Sequence, residues 1–194
     1  MTSLVIGLIL FLGIHLLPAL QPAKRENLVE KLGAGVWKGL FSLVSVIGLY
    51  LIATGYGAAR MEPVWIWHPP AFLSHITAVL MLVAFIFLAA TYVHGNAIKA
   101  RLGHPMLIAV KTWTIAHLLV NGTLADLILF GSFLAWGVLA FIKHRRADRA
   151  AGLGPTPSTL GATLLTLAVG VVLTAVFAIW LHPMLIGVPA IIRG

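Results

Sequence analysis

Histidine is the residue type of this 194-residue chain most suited to chemistry, with eight histidines and no cysteine. The lack of cysteine excludes disulfides, thiolate metal ligands and cysteine nucleophiles, so any metal chemistry must use histidine. His15 and His117 lie well within apolar segments. An ionisable group there is costly and normally faces a protein interior or a polar cavity. These two residues are therefore the main candidates for a functional site.

The other six histidines have simpler interpretations. His75 lies about one turn into an apolar segment, where a hydrogen bond to a neighbouring helix explains it. His104 precedes a proline at the start of a segment, where it could cap a helix or act as an alternative partner for His15. The remaining four lie near loops or interfaces: His68, His94, His144 and His182.

A polar stripe accompanies His117. Thr114, His117 and Asn121 follow i, i+3, i+7 spacing, which places them on one helix face directed toward the helix bundle. Lys111 projects from a different side, where it could snorkel to the inner face or neutralise a buried anion. Lys111, Thr114 and Asn121 are thus candidates for residues surrounding a group held by His117.

Two neutral imidazoles on different helices can ligate a metal ion or a haem iron. A closed zinc site needs four ligands, and neither Asp126, beside a predicted turn, nor Glu62, in a predicted loop, is placed to complete one. A haem needs only one or two. The residues alone leave haem binding, hydrogen bonding between helices, and proton or substrate handling as open alternatives.

Membrane helices must position these histidines, because 60% of the residues are hydrophobic and only 9% are charged. Crossing a hydrocarbon core of about 30 Å takes about 20 apolar residues, and lipid leaves helix as the only open choice. We predict an all-α polytopic membrane bundle of about six transmembrane helices, forming a single domain over residues 1–194. The predicted spans are 3–20, 36–55, 71–93, 105–122, 124–142 and 160–181.

The fourth and fifth spans meet at Asn121, Gly122 and Thr123. Asn-Gly is a turn signal, so we predict two helices rather than one long helix. Small residues, Gly48 in the second span and Gly131 in the fifth, predict close approach of neighbouring helices.

The basic residues outside the spans predict the orientation of the chain. Only Arg60 and Arg193 fall on one side of the membrane. The other side carries Lys24, Arg25, Lys31, Lys38, Lys99, Arg101, Lys143, Arg145, Arg146 and Arg149. The positive-inside rule then places both termini outside. It also explains the net charge of +8 without nucleic acid, which we discount as a partner.

Four motifs along the chain carry a family resemblance. They are Gly13-Ile-His15-Leu-Leu-Pro18, Phe41-Ser-Leu-Val-Ser45, His104-Pro-Met-Leu through Trp113 to Ala116-His117-Leu-Leu-Val-Asn121-Gly122, and Leu129-Phe-Gly-Ser-Phe-Leu-Ala-Trp136. Over nearly the whole chain they resemble the NnrU family of bacterial membrane proteins. That family is related to plant 15-cis-zeta-carotene isomerase, an integral membrane haem b enzyme whose haem is held by histidines of the first-helix and Ala-His motifs.

The resemblance implies haem b as cofactor, His15 and His117 as axial ligands of its iron, and His104 as a further motif residue near the cofactor. It implies the bacterial inner (cytoplasmic) membrane, a lipid bilayer environment and a hydrophobic polyene substrate that undergoes cis–trans isomerisation. No catalytic side chain is assigned. Two positions depart from the isomerase pattern: Gly103, where a basic residue is expected, and Thr123, where an acid is expected.

The association of bacterial members with nitrite and nitric oxide reduction implies a second function. The protein would then be a non-catalytic, haem-containing accessory or sensor protein of denitrification. An isomerase predicts a lipid-accessible cavity beside the iron, whereas an accessory protein predicts a small closed pocket or a partner surface. A transporter would need a polar pathway between the two membrane faces, and only the fourth span has a polar stripe.

Overall fold

The computed structural model describes residues 1–190, in which helices joined by short connections form the whole architecture apart from one isolated β-bridge between Trp65 and Thr123. The helices are α1 (Thr2–Leu20), α2 (Pro22–Leu32), α3 (Ala34–Ala59), α4 (Leu73–Tyr92), α5 (Ala97–Leu102), α6 (Pro105–Val120), α7 (Leu124–Ala150) and α8 (Leu160–Val176). A π-helical turn, Phe177–Leu181, and α9, His182–Ile186, continue α8. The all-α prediction is confirmed.

Five helical segments of the described chain are long and apolar enough to cross a membrane. They are Thr2–Leu20, Ala34–Ala59, Leu73–Tyr92, Leu124–Ala150 and Leu160–Ile186. The apolar helix α6 has 16 residues, a length of about 24 Å at 1.5 Å per residue. The prediction of about six spans is therefore confirmed, and the chain is a membrane protein.

Helix boundaries differ from the predicted spans where apolar sequence gives way to charge. The helix α7 runs to Ala150 rather than ending at Ile142, because its basic continuation is rich in Lys, Arg and Ala, which are strong helix formers. The helices α2 and α5 occupy stretches predicted as loops. The predicted orientation stays a prediction, and Arg193, which it counts, lies outside the described residues.

The described chain divides into two compact units, here called unit 1 and unit 2. Unit 1 comprises residues 1–68 and 122–144, and unit 2 comprises residues 69–121 with the described residues from 145 onward. The helix α7 is divided between them after His144. That the whole chain forms one domain stays a prediction.

In unit 1, α1 and α3 pack through glycines. A Cβ added at Gly55 would overlap the backbone nitrogen of Leu4, and one added at Gly48 would lie 2.9 Å from the backbone nitrogen of Phe11. The two backbones therefore touch with no side chain between them, as small residues allow in membrane helices. The prediction for Gly48 is confirmed. The prediction for Gly131 is wrong, because an added Cβ there would meet nothing within 4 Å.

The Gly55→Ala variant is expected to be less stable than wild type. The new methyl group meets backbone rather than a side chain that could rotate away, so α1 and α3 must separate, at a cost of about 1–3 kcal/mol. Gly57→Ala is the control, since nothing lies within 4 Å of its added Cβ. Thermal unfolding of both variants in detergent, followed by circular dichroism, measures the difference. Equal stability of the two variants would contradict the close packing.

The break between α6 and α7 is confirmed, since α6 ends at Val120 and α7 begins at Leu124. Glycine is needed at position 122 because the backbone of Trp67 lies close to it, and not because of an unusual backbone angle. A Cβ at Gly122 would overlap the carbonyl oxygen of Trp67. The Gly122 carbonyl accepts hydrogen bonds from the backbone N–H groups of Ile66 and Trp67, at 2.8 and 3.1 Å. The loop before α4 is thereby joined to the start of α7.

In unit 2, α4 packs against both α6 and α8. The Thr77 hydroxyl on α4 donates to the Ala116 carbonyl on α6 at 2.9 Å. Gly170 lets α8 approach α4, because its added Cβ would lie 2.7 Å from the Cα of Ile86. The hydrogen bond at Ala116, the residue before His117, thus holds α6 against α4.

Candidate functional site

In unit 1, His15 lies among three aromatic side chains, here called the aromatic cage: Phe11, Phe41 and Trp136. The imidazole stacks on Phe11 with 4.3 Å between ring centroids. Phe41 and Trp136 approach it edge-on at 4.9 and 6.4 Å. The three cage residues come from α1, α3 and α7. The imidazole is thus held in apolar surroundings built by three helices.

A hydrogen bond to the backbone fixes the His15 ring. Its Nδ1 lies 2.6 Å from the carbonyl oxygen of Phe11, one turn earlier in α1. A carbonyl oxygen only accepts, so Nδ1 donates, and the lone pair of the neutral ring is then on Nε2. Metal-ligating histidines normally have this arrangement, in which one nitrogen is tied to the protein and the other binds the metal.

The indole N–H of Trp136 is the one buried side-chain polar atom of residues 1–190 for which the structure shows no hydrogen-bond partner. A buried donor left in this state costs about 1–3 kcal/mol. Such groups are rare in folded proteins and call for an explanation. Trp136 belongs to the aromatic cage, so a bound group with an acceptor atom would remove this cost beside His15.

In unit 2, His117 has the same hydrogen-bond arrangement. Its Nδ1 lies 2.9 Å from the Trp113 carbonyl oxygen, and the two rings are 5.4 Å apart between centroids. The lone pair of His117 is therefore also on Nε2. Both histidines singled out from the sequence, His15 in unit 1 and His117 in unit 2, thus bond through Nδ1 to the backbone of their own helix, which suits metal ligation through Nε2.

The polar residues around His117 bond to the backbone of their own helix. The buried Thr114 hydroxyl donates to the Lys111 carbonyl at 2.8 Å. The Asn121 side-chain amide donates to the His117 carbonyl at 2.8 Å. These bonds satisfy the polar groups within an apolar helix, and a contact of Lys111, Thr114 or Asn121 with a bound group stays a prediction.

His104 directly precedes α6 but makes no side-chain cap there. Its Nε2 instead lies 2.8 Å from the carboxylate of Asp148 on α7, and the Arg145 guanidinium is 3.6 Å from the same carboxylate oxygen. At Gly103, where φ is +76°, an added Cβ would lie 3.2 Å from Arg145. Arg145 therefore supplies a basic group beside the His-Pro motif, where the family resemblance expects one at position 103.

Asp126 supplies an acid near the second departure from the family pattern. Its Oδ2 accepts from the backbone N–H and hydroxyl of Thr123, at 2.9 and 2.6 Å, and its Oδ1 accepts from the Tyr56 hydroxyl at 2.5 Å. The Asp126 backbone N–H returns a bond to the Thr123 hydroxyl at 3.3 Å. This reciprocal arrangement is a capping box at the start of α7. The Thr-x-x-Asp pattern in the sequence signals it.

An apolar cavity of about 140 Å³ lies between α4 and α6 in unit 2. Its lining is Met81, Ala84, Phe85, Leu88, Met106, Ala109, Val110 and Trp113. Trp113 connects the cavity with His117, since this residue lines the cavity and its carbonyl oxygen accepts the His117 hydrogen bond. The cavity can hold a small apolar molecule or part of a longer one.

The part of the chain that the structure describes has no group of three or more His, Asp or Glu residues placed to hold a metal ion. Haem iron has no such requirement, because one or two protein ligands hold it. Apolar helices with imidazoles set in aromatic surroundings thus define a helical membrane protein with candidate histidine ligands.

The family follows from comparison with known proteins. The family model described as NnrU protein matches residues 3–190, so the chain belongs to the NnrU family. This confirms the resemblance drawn from the four motifs. Neither the comparison with curated proteins nor the comparison with solved structures finds a match.

The sequence alone assigns no site role to the residues of the aromatic cage. Phe11 precedes His15 by four residues, a spacing that brings side chains together on a helix, so a local signal existed. Phe41 and Trp136 belong to the quoted motifs, but only the packing of α3 and α7 in unit 1 brings them to His15.

Proposed function

We propose that this NnrU family protein binds haem b within the bacterial inner membrane, as a multi-pass protein, with His15 and His117 as axial ligands of the iron. The observation that carries the proposal is the His15 ring, caged by aromatic side chains and tied through Nδ1 to the Phe11 carbonyl. His117 supports it with the same hydrogen bond to Trp113. That both imidazoles meet at one iron rests on the family resemblance.

The donor set and its surroundings fit a haem. Two neutral imidazoles suit haem iron, and the aromatic cage suits an apolar macrocycle. The buried Trp136 N–H would donate to an acceptor such as a haem propionate, removing the cost of an unsatisfied donor. We do not assign His104 as a ligand, since its Nε2 pairs with Asp148.

The absorption spectrum of the purified protein tests haem binding. After expression with a haem precursor, wild type is expected to show a Soret band, and its pyridine haemochrome is expected to identify haem b. A protein that is folded by circular dichroism yet has no Soret band, even after incubation with haem, would overturn the proposal.

The proposed reaction is cis–trans isomerisation of a double bond in an apolar polyene. A bound ferrous haem would supply electron density that lowers the rotation barrier of a conjugated double bond. The chain itself would hold the iron ligands, exclude water and position the polyene. The apolar cavity beside Trp113 supports this function, because its 140 Å³ admits a short conjugated segment while the rest of a long polyene stays in lipid.

Filling the cavity is expected to slow isomerisation. In the Ala109→Leu variant the larger side chain occupies space that the substrate needs, so turnover of di-cis zeta-carotene should fall by about tenfold or more. The Soret band should be unchanged, because the substitution alters neither His117 nor the Trp113 carbonyl that accepts its hydrogen bond. Ile115→Phe, an exposed position of the same helix, is the control and should keep full turnover. Unchanged turnover in Ala109→Leu would exclude the cavity as the substrate site.

The accessory function in denitrification is the other outcome of the substrate assay. A protein that holds haem b but leaves di-cis zeta-carotene unchanged would support a haem-containing accessory or sensor role. Nitric oxide added to that protein would then be expected to shift the Soret band.

A further inference from the structure

A second concavity, of about 300 Å³, lies in unit 2 and is here called the basic pocket. It forms where α5, the start of α6 and the end of α7 meet the loop that follows α7. Its lining is Lys99, Ala100, Arg101, Gly103, His104, Arg145, Asp148, Leu153, Gly154, Pro155 and Thr156. Three strong bases and one acid thus face the same space, which gives the lining an excess of positive charge.

The acid of the pocket already has partners. Both His104 and Arg145 contact the Asp148 carboxylate, at 2.8 and 3.6 Å. Lys99 is also held in place, because its ammonium donates to the Thr91 carbonyl at 3.0 Å. Basic residues that only orient a membrane protein lie in solvated loops. Here they come from the two helices α5 and α7 and converge on one concavity, where a hydrogen bond holds Lys99 and an ion pair holds Arg145.

The loop after α7 closes one wall of the pocket. The Leu153 N–H donates to the Asp148 carbonyl at 2.9 Å, and at the other end of the loop the Thr159 N–H donates to the Gly95 carbonyl at 2.9 Å. Gly152, with φ of +65°, makes the turn that ends α7. The wall formed by Gly154, Pro155 and Thr156 is therefore anchored at both of its ends.

We propose that the basic pocket binds a phosphate group. Arginine donates to phosphate in a bidentate manner and lysine adds a point charge, and the pocket volume is at the lower end of the range for ligand sites. The positive-inside rule predicts that this end of the helices lies at the cytoplasmic face, where basic pockets between membrane helices bind lipid headgroups. Two kinds of ligand offer such a phosphate group: an acidic phospholipid headgroup and free inorganic phosphate.

Native mass spectrometry of delipidated protein in neutral detergent tests the proposal. The probes are dioleoylphosphatidylglycerol, zwitterionic dioleoylphosphatidylcholine and inorganic phosphate. Tight binding of the phosphatidylglycerol alone identifies a lipid headgroup as the occupant, and displacement of that lipid by millimolar phosphate identifies free phosphate. If neither phosphatidylglycerol nor phosphate binds more tightly than phosphatidylcholine, the proposal is overturned.

Matched charge variants locate the binding. Lys99→Gln with Arg101→Gln removes two pocket charges, and Lys143→Gln with Arg146→Gln removes two exposed charges that do not line the pocket. The first pair should weaken phosphatidylglycerol binding by about tenfold or more, because it removes two charges that line the pocket. The second pair should leave the binding within about twofold, because its charges act only through the general surface potential. Equal losses would show a general surface charge effect and overturn the site.

A further pair lies in the loop after α7 and so changes no helical residue of the pocket. Thr156→Glu adds a negative charge to the pocket wall, whereas Ser158→Glu adds one to the same loop outside the lining. Only Thr156→Glu should weaken binding. If both variants bind like wild type, the phosphate group does not occupy this pocket.

Discussion

The His15→Ala variant is expected to lose its Soret band and to regain it when haem and imidazole are added together to the purified protein. Removing the imidazole takes away a bond to the iron and leaves the aromatic cage with an empty volume beside Phe11 and Phe41. The loss of haem affinity should exceed the roughly 10–100-fold that follows when only the hydrogen-bond partner of a ligand is removed. Free imidazole fits the space that the side chain leaves, so rescue is the expected signature of a lost ligand.

The control for His15→Ala is His75→Ala. His75 is an exposed histidine near the start of α4, so its removal should leave both the spectrum and the stability unchanged. His117→Ala should behave like His15→Ala, with its own imidazole rescue. A His15→Ala protein that keeps a wild-type Soret band would show that His15 is not an axial ligand, whatever the fate of His117→Ala.

The Asp126→Ala variant is expected to lose about 4–5 kcal/mol of stability, which is three bonds at the lower end of the range for bonds to charged groups. The buried carboxylate accepts three hydrogen bonds, one from Tyr56 and two from Thr123, and bonds to charged groups contribute about 1.5–3 kcal/mol each. Without it, buried donors lose their acceptor and α7 loses its capping box, itself worth about 1 kcal/mol. Thermal or denaturant unfolding in detergent, followed by circular dichroism, measures the loss.

A series of tyrosine variants separates the contributions to this network. Tyr56→Phe removes one donor and leaves the capping box intact, so it should cost about 1–2 kcal/mol. Tyr50→Phe, at an exposed position of the same helix, should cost nothing measurable. A loss below about 1 kcal/mol in Asp126→Ala would contradict the view that this carboxylate joins α3 to the start of α7.

The membrane class and most of the helices were predictable from the sequence, because each depends on neighbouring residues. The free energy of transferring an apolar stretch into lipid is a sum over the residues of that stretch. Within lipid, the backbone must then be helical. Boundaries were less predictable. Apolarity ends near Ile142, yet α7 continues to Ala150, since helix propensity does not depend on apolar character.

The candidate ligands were likewise predictable, because their depth within an apolar span can be read from the sequence. The contact between Phe11 and His15 was also predictable, because the two residues lie four positions apart on one helix. What surrounds them was decided by tertiary structure. Phe41 and Trp136 reach His15 from other helices of unit 1, and Asp148 reaches His104 across 44 positions of sequence. Periodicity tells which face of a helix a residue occupies. Which helix covers that face depends on packing among residues far apart in the chain, such as the glycine contacts that hold α1 against α3.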